Sequence, residues 1–334
     1  MNLPDTVTVI RARRGKRLAK TVHADGVVTD YDAAYTYDLV PVPVANLGAV
    51  AALLADLMPR QDCAAVRGVP VDPTRSMNVR RLAYADRNTG DPATLEPTSH
   101  RWLALDMDHV DRPDAVPAHD LMACARLAVS HLPAAFEGAE AVIQATASHG
   151  IKPGCRLRLW YWLDRPTTDA EATRWLRRYP VDLSVFRTVQ PIYTAAPHFL
   201  DCTDHLPARL AMRPGQPTVA VPPPASLAAP PRRRSVPLPS PGDSRGARYA
   251  FAALTHAATR IQRTGEGGRH AQILAEARAL GRFIEAGLLT INDVQTVLYG
   301  AGAAAGKPER EVSLTVAWGL DHAATTPLPD GVRP

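Results

Sequence analysis

The acids with the clearest chemical potential in this sequence lie in residues 101–111, RWLALDMDHVD, at the end of a short apolar run. Trp102, Leu103, Ala104 and Leu105 have the composition of a buried strand closed by polar residues. Side chains alternate across a strand, so Asp106 and Asp108 fall on one face at its end, with Met107 turned into the core. Two carboxylates on one edge can share a hard divalent cation. Mg²⁺ or Mn²⁺ suits them, because such ions take oxygen ligands and are commonly held by one or two carboxylates together with substrate phosphates. A solvated turn or cap would present the same pair, and glycosyltransferases and nucleases use such pairs as well. A third acid, Asp182, sits in the apolar bracket Val181/Leu183. It would supply the oxygen ligand that a two-metal site needs from a separate element.

A second chemical signal is the segment 155–164, CRLRLWYWLD. Strand alternation puts Arg156, Arg158, Trp160 and Trp162 on one face and leaves Leu157, Leu159, Tyr161 and Leu163 to pack behind. Arginines beside an acidic metal site can grip phosphate oxygens in bidentate fashion; the structural alternative is a cross-strand ion pair with a core acid. Residues His198, Cys202 and His205 form a third cluster, but their spacing fits no standard zinc module and Asp201 and Asp204 give the segment the character of a polar loop.

Positioning these groups requires a sheet. Residues 141–147 (AVIQATA) read as a second buried strand, and 116–136 as the helix before it, with Leu121, Cys124, Leu127, Ala128 and Leu132 along one side. Strand, helix, strand is the unit in which active groups gather where strands end. Residues 148–154, rich in Gly and Pro, form the turn into the arginine strand. A capped helix is expected over 168–179, and another over 47–58 with Asn46 as its cap. Residues 6–38 suggest one or two strands around a basic run, 11–20, which is either a solvated hairpin or a phosphate contact. Residues 61–70 suggest a further strand, and 72–98, carrying Arg75, Arg80 and Arg81, a long loop.

Length and composition bound the rest. The 334 residues are 46% hydrophobic and 21% charged, enough for two domains with a sizeable core, and the net charge of +5 permits a nucleic-acid partner without requiring one. Cys63, Cys124, Cys155 and Cys202 include no Cys-x-x-Cys pair and read as free thiols of a reducing cytoplasm. No signal-peptide core and no apolar run near the ~20 residues of a membrane span are visible, so a cytoplasmic protein without a membrane partner is expected. Residues 215–245 are too rich in proline for a helix or central strand and read as a linker, with Arg232, Arg233 and Arg234 as a solvated run. The expected organisation is a catalytic domain over 1–214, the linker, a helical domain over 246–325 and a tail over 326–334. Four helices are expected after the linker, over 249–263, 269–286, 291–304 and 309–324, the last two begun by Asn292 and Glu309.

The three acids, the serine-bearing turn and the arginine-faced strand, in this order, resemble the archaeo-eukaryotic primase superfamily, especially the bifunctional primase-polymerases of phages and plasmids. The family's first motif, a strand ending in Asp-x-Asp, matches Asp106 and Asp108; its third, an apolar residue followed by Asp, matches Asp182. In the second motif Ser148 matches the small residue, but Arg158 stands where the phosphate-binding histidine is expected, and His149 opens the turn. Either could meet the triphosphate. Gly268-Arg269-His270, Leu274, Gly281, Gly287 and residues 315–320 (TVAWGL) look like the helical domain that follows the catalytic domain in many primases of mobile elements.

The resemblance implies an α/β (α+β) catalytic domain around an RRM-like sheet, followed by a small all-α bundle. It implies a DNA-dependent primase, or primase-polymerase, working on a single-stranded DNA template with nucleoside triphosphates. Asp106, Asp108 and Asp182 would hold two Mg²⁺ or Mn²⁺ ions; Ser148, His149, Arg156 and Arg158 would bind the triphosphate; Arg269 and His270 would touch template or the initiating nucleotide. No Walker-type phosphate loop occurs, so a replicative helicase would act in trans. Rival readings are a replication-initiator or template-binding protein with a vestigial site, and a metal-dependent nuclease or transferase using the same acids.

Overall fold

The structure, a computed structural model, describes residues 5–86, 88–228, 244–265, 267–324 and 327–328. The chain divides into two compact units, Met1–Leu227 and Ala228–Pro334. In chain order the first unit contains β1 (Asp5–Ala12), β2 (Thr21–His23), β3 (Val28–Thr29), β4 (Tyr37–Val44), α1 (Leu47–Leu57), β5 (Cys63–Val66), β6 (Val69–Pro70), β7 (Leu95–Glu96) and β8 (His100–Val110). It continues with α2 (Leu121–Val129), β9 (Ala141–Ala145), β10 (Cys155–Thr167), α3 (Asp169–Leu176), β11 (His198–Leu200) and β12 (Leu210–Arg213). This is a mixed α/β unit with several small sheets. Among the described residues no helix is long and apolar enough to cross a membrane.

The central sheet runs β12-β9-β10-β8 and every pairing in it is antiparallel. Leu157, Leu159, Tyr161 and Leu163 of β10 are fully buried, as expected, but Trp160 and Trp162 on the other face are also inside. A second antiparallel sheet, β4-β1-β5, accounts for this: the Trp102 indole, 5.8 Å from Trp160, donates to the Thr6 carbonyl of β1 at 2.9 Å. Burying a Trp side chain is worth about 4–6 kcal/mol of transfer free energy, so the tryptophans fasten the two sheets together. Trp160 meets its one polar need inside the core by donating to Gln144 of β9 at 3.1 Å.

Local signals placed most of the helices. Asn46 caps α1 by accepting from the Ala49 amide at 2.9 Å, and Thr168 with Glu171 forms a reciprocal capping box on α3. The helix expected over 116–136 is shorter, because Pro117 disfavours helical backbone at Val116 and Asp120 becomes the cap. The expected domain boundary also shifts: residues 215–227 belong to the first unit rather than to a linker. Val219 is fully buried, its amide donates to the Trp162 carbonyl at 2.8 Å, and its carbonyl accepts from Asp164 at 3.0 Å. Proline excludes a segment from the middle of a ladder but not from an extended strap along it. Residues 229–243, with the three arginines of the expected linker, lie outside the described residues.

The second unit holds α4 (Arg245–Arg263), α5 (Arg269–Glu285), α6 (Ile291–Ala304) and α7 (Glu309–Asp321). Leu254, Ile261, Ile273, Phe283, Leu298 and Val316 contribute to one shared core. Thr290, not Asn292, caps α6, in a box with Asp293, and Pro308 precedes α7. Gly302 is required by packing: a Cβ there would lie 2.7 Å from the Val312 methyl groups, so α6 and α7 could not approach as they do.

Candidate active site

The antiparallel register places Asp106 of β8 directly opposite Arg158 of β10. Directly opposed residues share a face, and the Arg158 guanidinium reaches both the Asp106 carboxylate and the Tyr193 carbonyl. The cross-strand ion pair weighed as an alternative is therefore what the structure contains. The pair is largely buried, with side-chain exposures of 6% for Arg158 and 12% for Asp106. One oxygen of Asp106, Oδ1, is buried and has no hydrogen-bond partner. A buried carboxylate oxygen with nothing to accept from is costly, and a cation ligand would relieve it.

Three residues of β8, 108–110, span the same stretch as residues 155 and 156 of β10, so the regular ladder breaks there. The bulge leaves Asp108 and His109 exposed beside Arg156. Asp108 still faces the cleft described next. Desolvation by the cleft walls, followed by the charge of Asp106, pushes its carboxyl above the ordinary value, against the opposing pull of Arg156, Arg158 and His109. Two acids that repel in this way are a ready ligand pair for a divalent ion.

Asp106, Asp108, Asp182, Ser148 and Arg158 line one cleft of about 200 Å³. Asp182 is brought there by its amide, which donates to the Asp106 carbonyl at 2.9 Å. Its carboxylate caps the 3₁₀ turn Leu183–Phe186, accepting from the Ser184 amide and hydroxyl at 2.8 Å each. Among the described residues no three His, Cys, Asp or Glu side chains converge closely enough to hold an ion by themselves. The cleft thus offers Asp106, paired with Arg158 through one oxygen and unpartnered at the other, the exposed Asp108, and a third carboxylate, Asp182, already engaged. That donor set is all oxygen, which fits Mg²⁺ or Mn²⁺ completed by water or substrate oxygens.

Two of the expected phosphate ligands are elsewhere. His149 is fully buried behind the turn: its Nδ1 accepts from the Arg156 amide at 3.1 Å, so the proton sits on Nε2, which donates to the Ala118 carbonyl at 2.9 Å. Both nitrogens are spent on holding the turn to the segment before α2, and His149 does not reach the cleft. Arg156 lies at the bulge and not in the cleft lining; its Nε donates to the Pro153 carbonyl at 3.3 Å. The register break is why it does not share the setting of Arg158. In the second unit, Arg269 donates to the Thr264 carbonyl at 3.3 Å, while His270 lies 3.5 Å from Glu311 and 3.3 Å from the Thr315 hydroxyl.

Lys20, the end of the basic run weighed as a phosphate contact, lines the cleft; other cleft residues escaped the sequence reading, among them Tyr31, which stacks on Tyr193 with ring centroids 3.9 Å apart. Gln144 was legible in principle as the one amide in an otherwise apolar strand; it is 2% exposed, accepts from Trp160 and donates to the Thr194 carbonyl at 2.8 Å. It ties the floor of the cleft to the segment carrying Tyr193. No protein-family model matches this chain, and no curated protein or solved structure matches it.

Proposed function

We propose that this chain is a DNA-dependent primase, or primase-polymerase, that joins nucleoside triphosphates on single-stranded DNA in the replication of a phage, plasmid or other mobile element. The observation that carries the reading is Asp106, with one buried oxygen unpartnered and the other on Arg158, beside Asp108 in a cleft that also gathers Asp182 and Ser148. The antiparallel sheet with α2 packed against it supports an α/β catalytic domain, though β12 pairs with β9 where an RRM sheet would place it beside β8, and the four helices of the second unit suit the helical domain such primases carry. A replicative helicase would be supplied by another chain.

Asp106 and Asp108, with Asp182 recruited from its turn, would hold Mg²⁺ or Mn²⁺. Ions there would lower the pKa of an attacking 3′-hydroxyl and neutralise departing pyrophosphate. Arg158 would be the chain's own phosphate-binding cation: a fixed, planar guanidinium anchored on the Tyr193 carbonyl and able to exchange its carboxylate partner for triphosphate oxygens. Charge aimed in advance at a developing anion is worth several kcal/mol in the transition state. Ser148, at the head of the turn, adds a hydroxyl on the same wall.

The Arg158–Asp106 pair and the engaged Asp182 carboxylate also suit a second reading, a replication-initiator or template-binding protein whose site no longer turns over. One experiment separates these. Incubation with single-stranded DNA, labelled triphosphates and Mn²⁺ should yield new oligonucleotides that Asp106→Asn abolishes. Retained gel shift without product would establish the binding protein instead, and a shortened template the nuclease.

A further inference from the structure

We propose that two adjoining surface segments, 13–20 and 30–37, form a track that receives a single nucleic-acid strand and leads it into the cleft. The inference deepens the function proposed above and rests on it for the role of the cleft. Six basic residues and no acid occupy positions 11–20. Arg11 pairs with Asp62, Arg13 with Asp38 and Lys20 with Asp30. Arg14 and Lys16 are exposed and meet no carboxylate among the described residues, and the Arg17 guanidinium donates to the Thr21 hydroxyl at 3.1 Å. Three cations are thus left for an external anion.

The backbone holds two of them at the tip of a tight turn. Arg14 and Gly15 have φ of +60° and +66°, with the Lys16 amide 3.4 Å from the Arg13 carbonyl. Two successive left-handed residues favour Asn, Asp or Gly, and Arg is an expensive occupant of the first. A Cβ built on Gly15 would meet nothing within 4 Å, and Arg14 itself is exposed. Strain without a packing reason points to the side chain's outward task.

The second segment supplies the complement. It runs alongside the first, tied by the Arg13 amide to the Thr36 carbonyl at 3.1 Å and the Asp32 amide to the Arg17 carbonyl at 2.9 Å. It carries Tyr31, which lines the cleft, and Tyr35, which is 78% exposed. Of its acids, Asp30 is paired with Lys20, and Asp32 accepts from the Arg17 amide and keeps its charge, leaving Arg14, Lys16 and Arg17 in excess over it. Leu18, Ala19 and Lys20 of the first segment line the cleft beside Tyr31, so both segments end there. A cationic strip beside an aromatic one is the arrangement that binds single strands, with phosphates on the cations and bases on the rings. A duplex, its bases already stacked, would use the cations but not Tyr35.

The test uses the full chain and a fluorescent oligothymidine of roughly 20 nucleotides, followed by anisotropy across a salt series. Arg14→Asn/Lys16→Gln removes two charges while giving the turn a residue it favours, and circular dichroism checks the fold. The variant should bind about tenfold or more weakly at 0.1 M salt, with a log–log salt slope shallower by about 1.4, since each phosphate contact to a single strand contributes roughly 0.7. Tyr35→Ala should weaken oligothymidine several-fold and leave a duplex of equal length unaffected. Unchanged affinity and slope in the double variant would overturn the track. So would equal losses on duplex and single strand with no effect of Tyr35→Ala, which would mark a general polyanion patch. Primer synthesis is read separately: a chain that makes no product but binds oligothymidine through Arg14 and Lys16 loses the transferase reading and keeps the track, whereas one that makes primers with undiminished binding in the variant keeps the first and loses the second.

Discussion

Arg158→Ala tests whether the cleft is a metal and phosphate site or a structural ion pair. In the protein without ligands, the substitution strips a 6%-exposed guanidinium from a 12%-exposed carboxylate. Leaving a buried charge unpaired costs about 3–5 kcal/mol. The Tyr193 carbonyl also loses a donor, worth about 1 kcal/mol. Water entering the adjoining cleft offsets part of this, so a net loss near 3 kcal/mol is expected. For a unit of this size each kcal/mol moves the melting temperature by roughly 2–4 °C, which gives a fall of about 6–12 °C. The unpaired Asp106 should then bind a cation more readily than before. Mn²⁺ at a hundredfold excess over its Kd would restore about 2.7 kcal/mol, most of the deficit. In extension assays at saturating template, losing Arg158 should raise KM for nucleotides and lower kcat/KM by about 2–4 kcal/mol in transition-state terms. The measurements are thermal melts of wild type and variant with and without Mn²⁺, beside steady-state kinetics across nucleotide concentration. A destabilised variant that Mn²⁺ does not rescue would remove the metal from Asp106, and normal nucleotide KM and kcat/KM would remove the phosphate from Arg158.

Further expectations concern neighbouring groups. Asp108 binds its proton more tightly in the folded protein than in the unfolded chain, so it favours folding at low pH and opposes it as pH rises from 3.8 through its raised value. Asp108→Asn should therefore stabilise the metal-free protein at neutral pH, by less than about 1 kcal/mol because the site is open to solvent, and flatten the acid limb of metal affinity seen by titration calorimetry. His149→Ala should lower the melting temperature through two lost buried hydrogen bonds, about 1–3 kcal/mol, while nucleotide KM stays near normal; a severe KM defect would return His149 to the phosphate. Residues 1–227 should express as a folded unit that extends preformed primers but depends on the second unit for synthesis from free nucleotides, whereas 1–214 should be markedly less stable because it lacks the buried Val219 and Leu227. Equal de novo synthesis by 1–227 and the whole chain would end that division of labour.

Period and capping are local properties, and the sequence alone determined what depends on them. The apolar run before Asp106, the strand over 155–164, the Asn46 and Thr168 caps and the four C-terminal helices all follow from neighbours a few residues apart. The same signals put Asp106 and Asp108 on one strand, but not at its end: β8 runs on to Val110, with Asp106 inside the ladder and Asp108 at the register break. Tertiary structure decided what each polar group faces. Arg158 meets Asp106 because of a cross-strand register that links residues 52 positions apart, and a bulge in the same ladder separates Arg156 from it. His149, beside Ser148 in sequence, is drawn away from the cleft by a carbonyl 31 residues earlier. Tyr31 and Lys20 enter the cleft from the segments that flank β2 and β3, and Val219 is claimed from a proline-rich stretch by the backbone of β10 at Trp162 and Asp164. Pairing across long loops is set by the summed fit of many weak contacts, and no short window of sequence contains that sum.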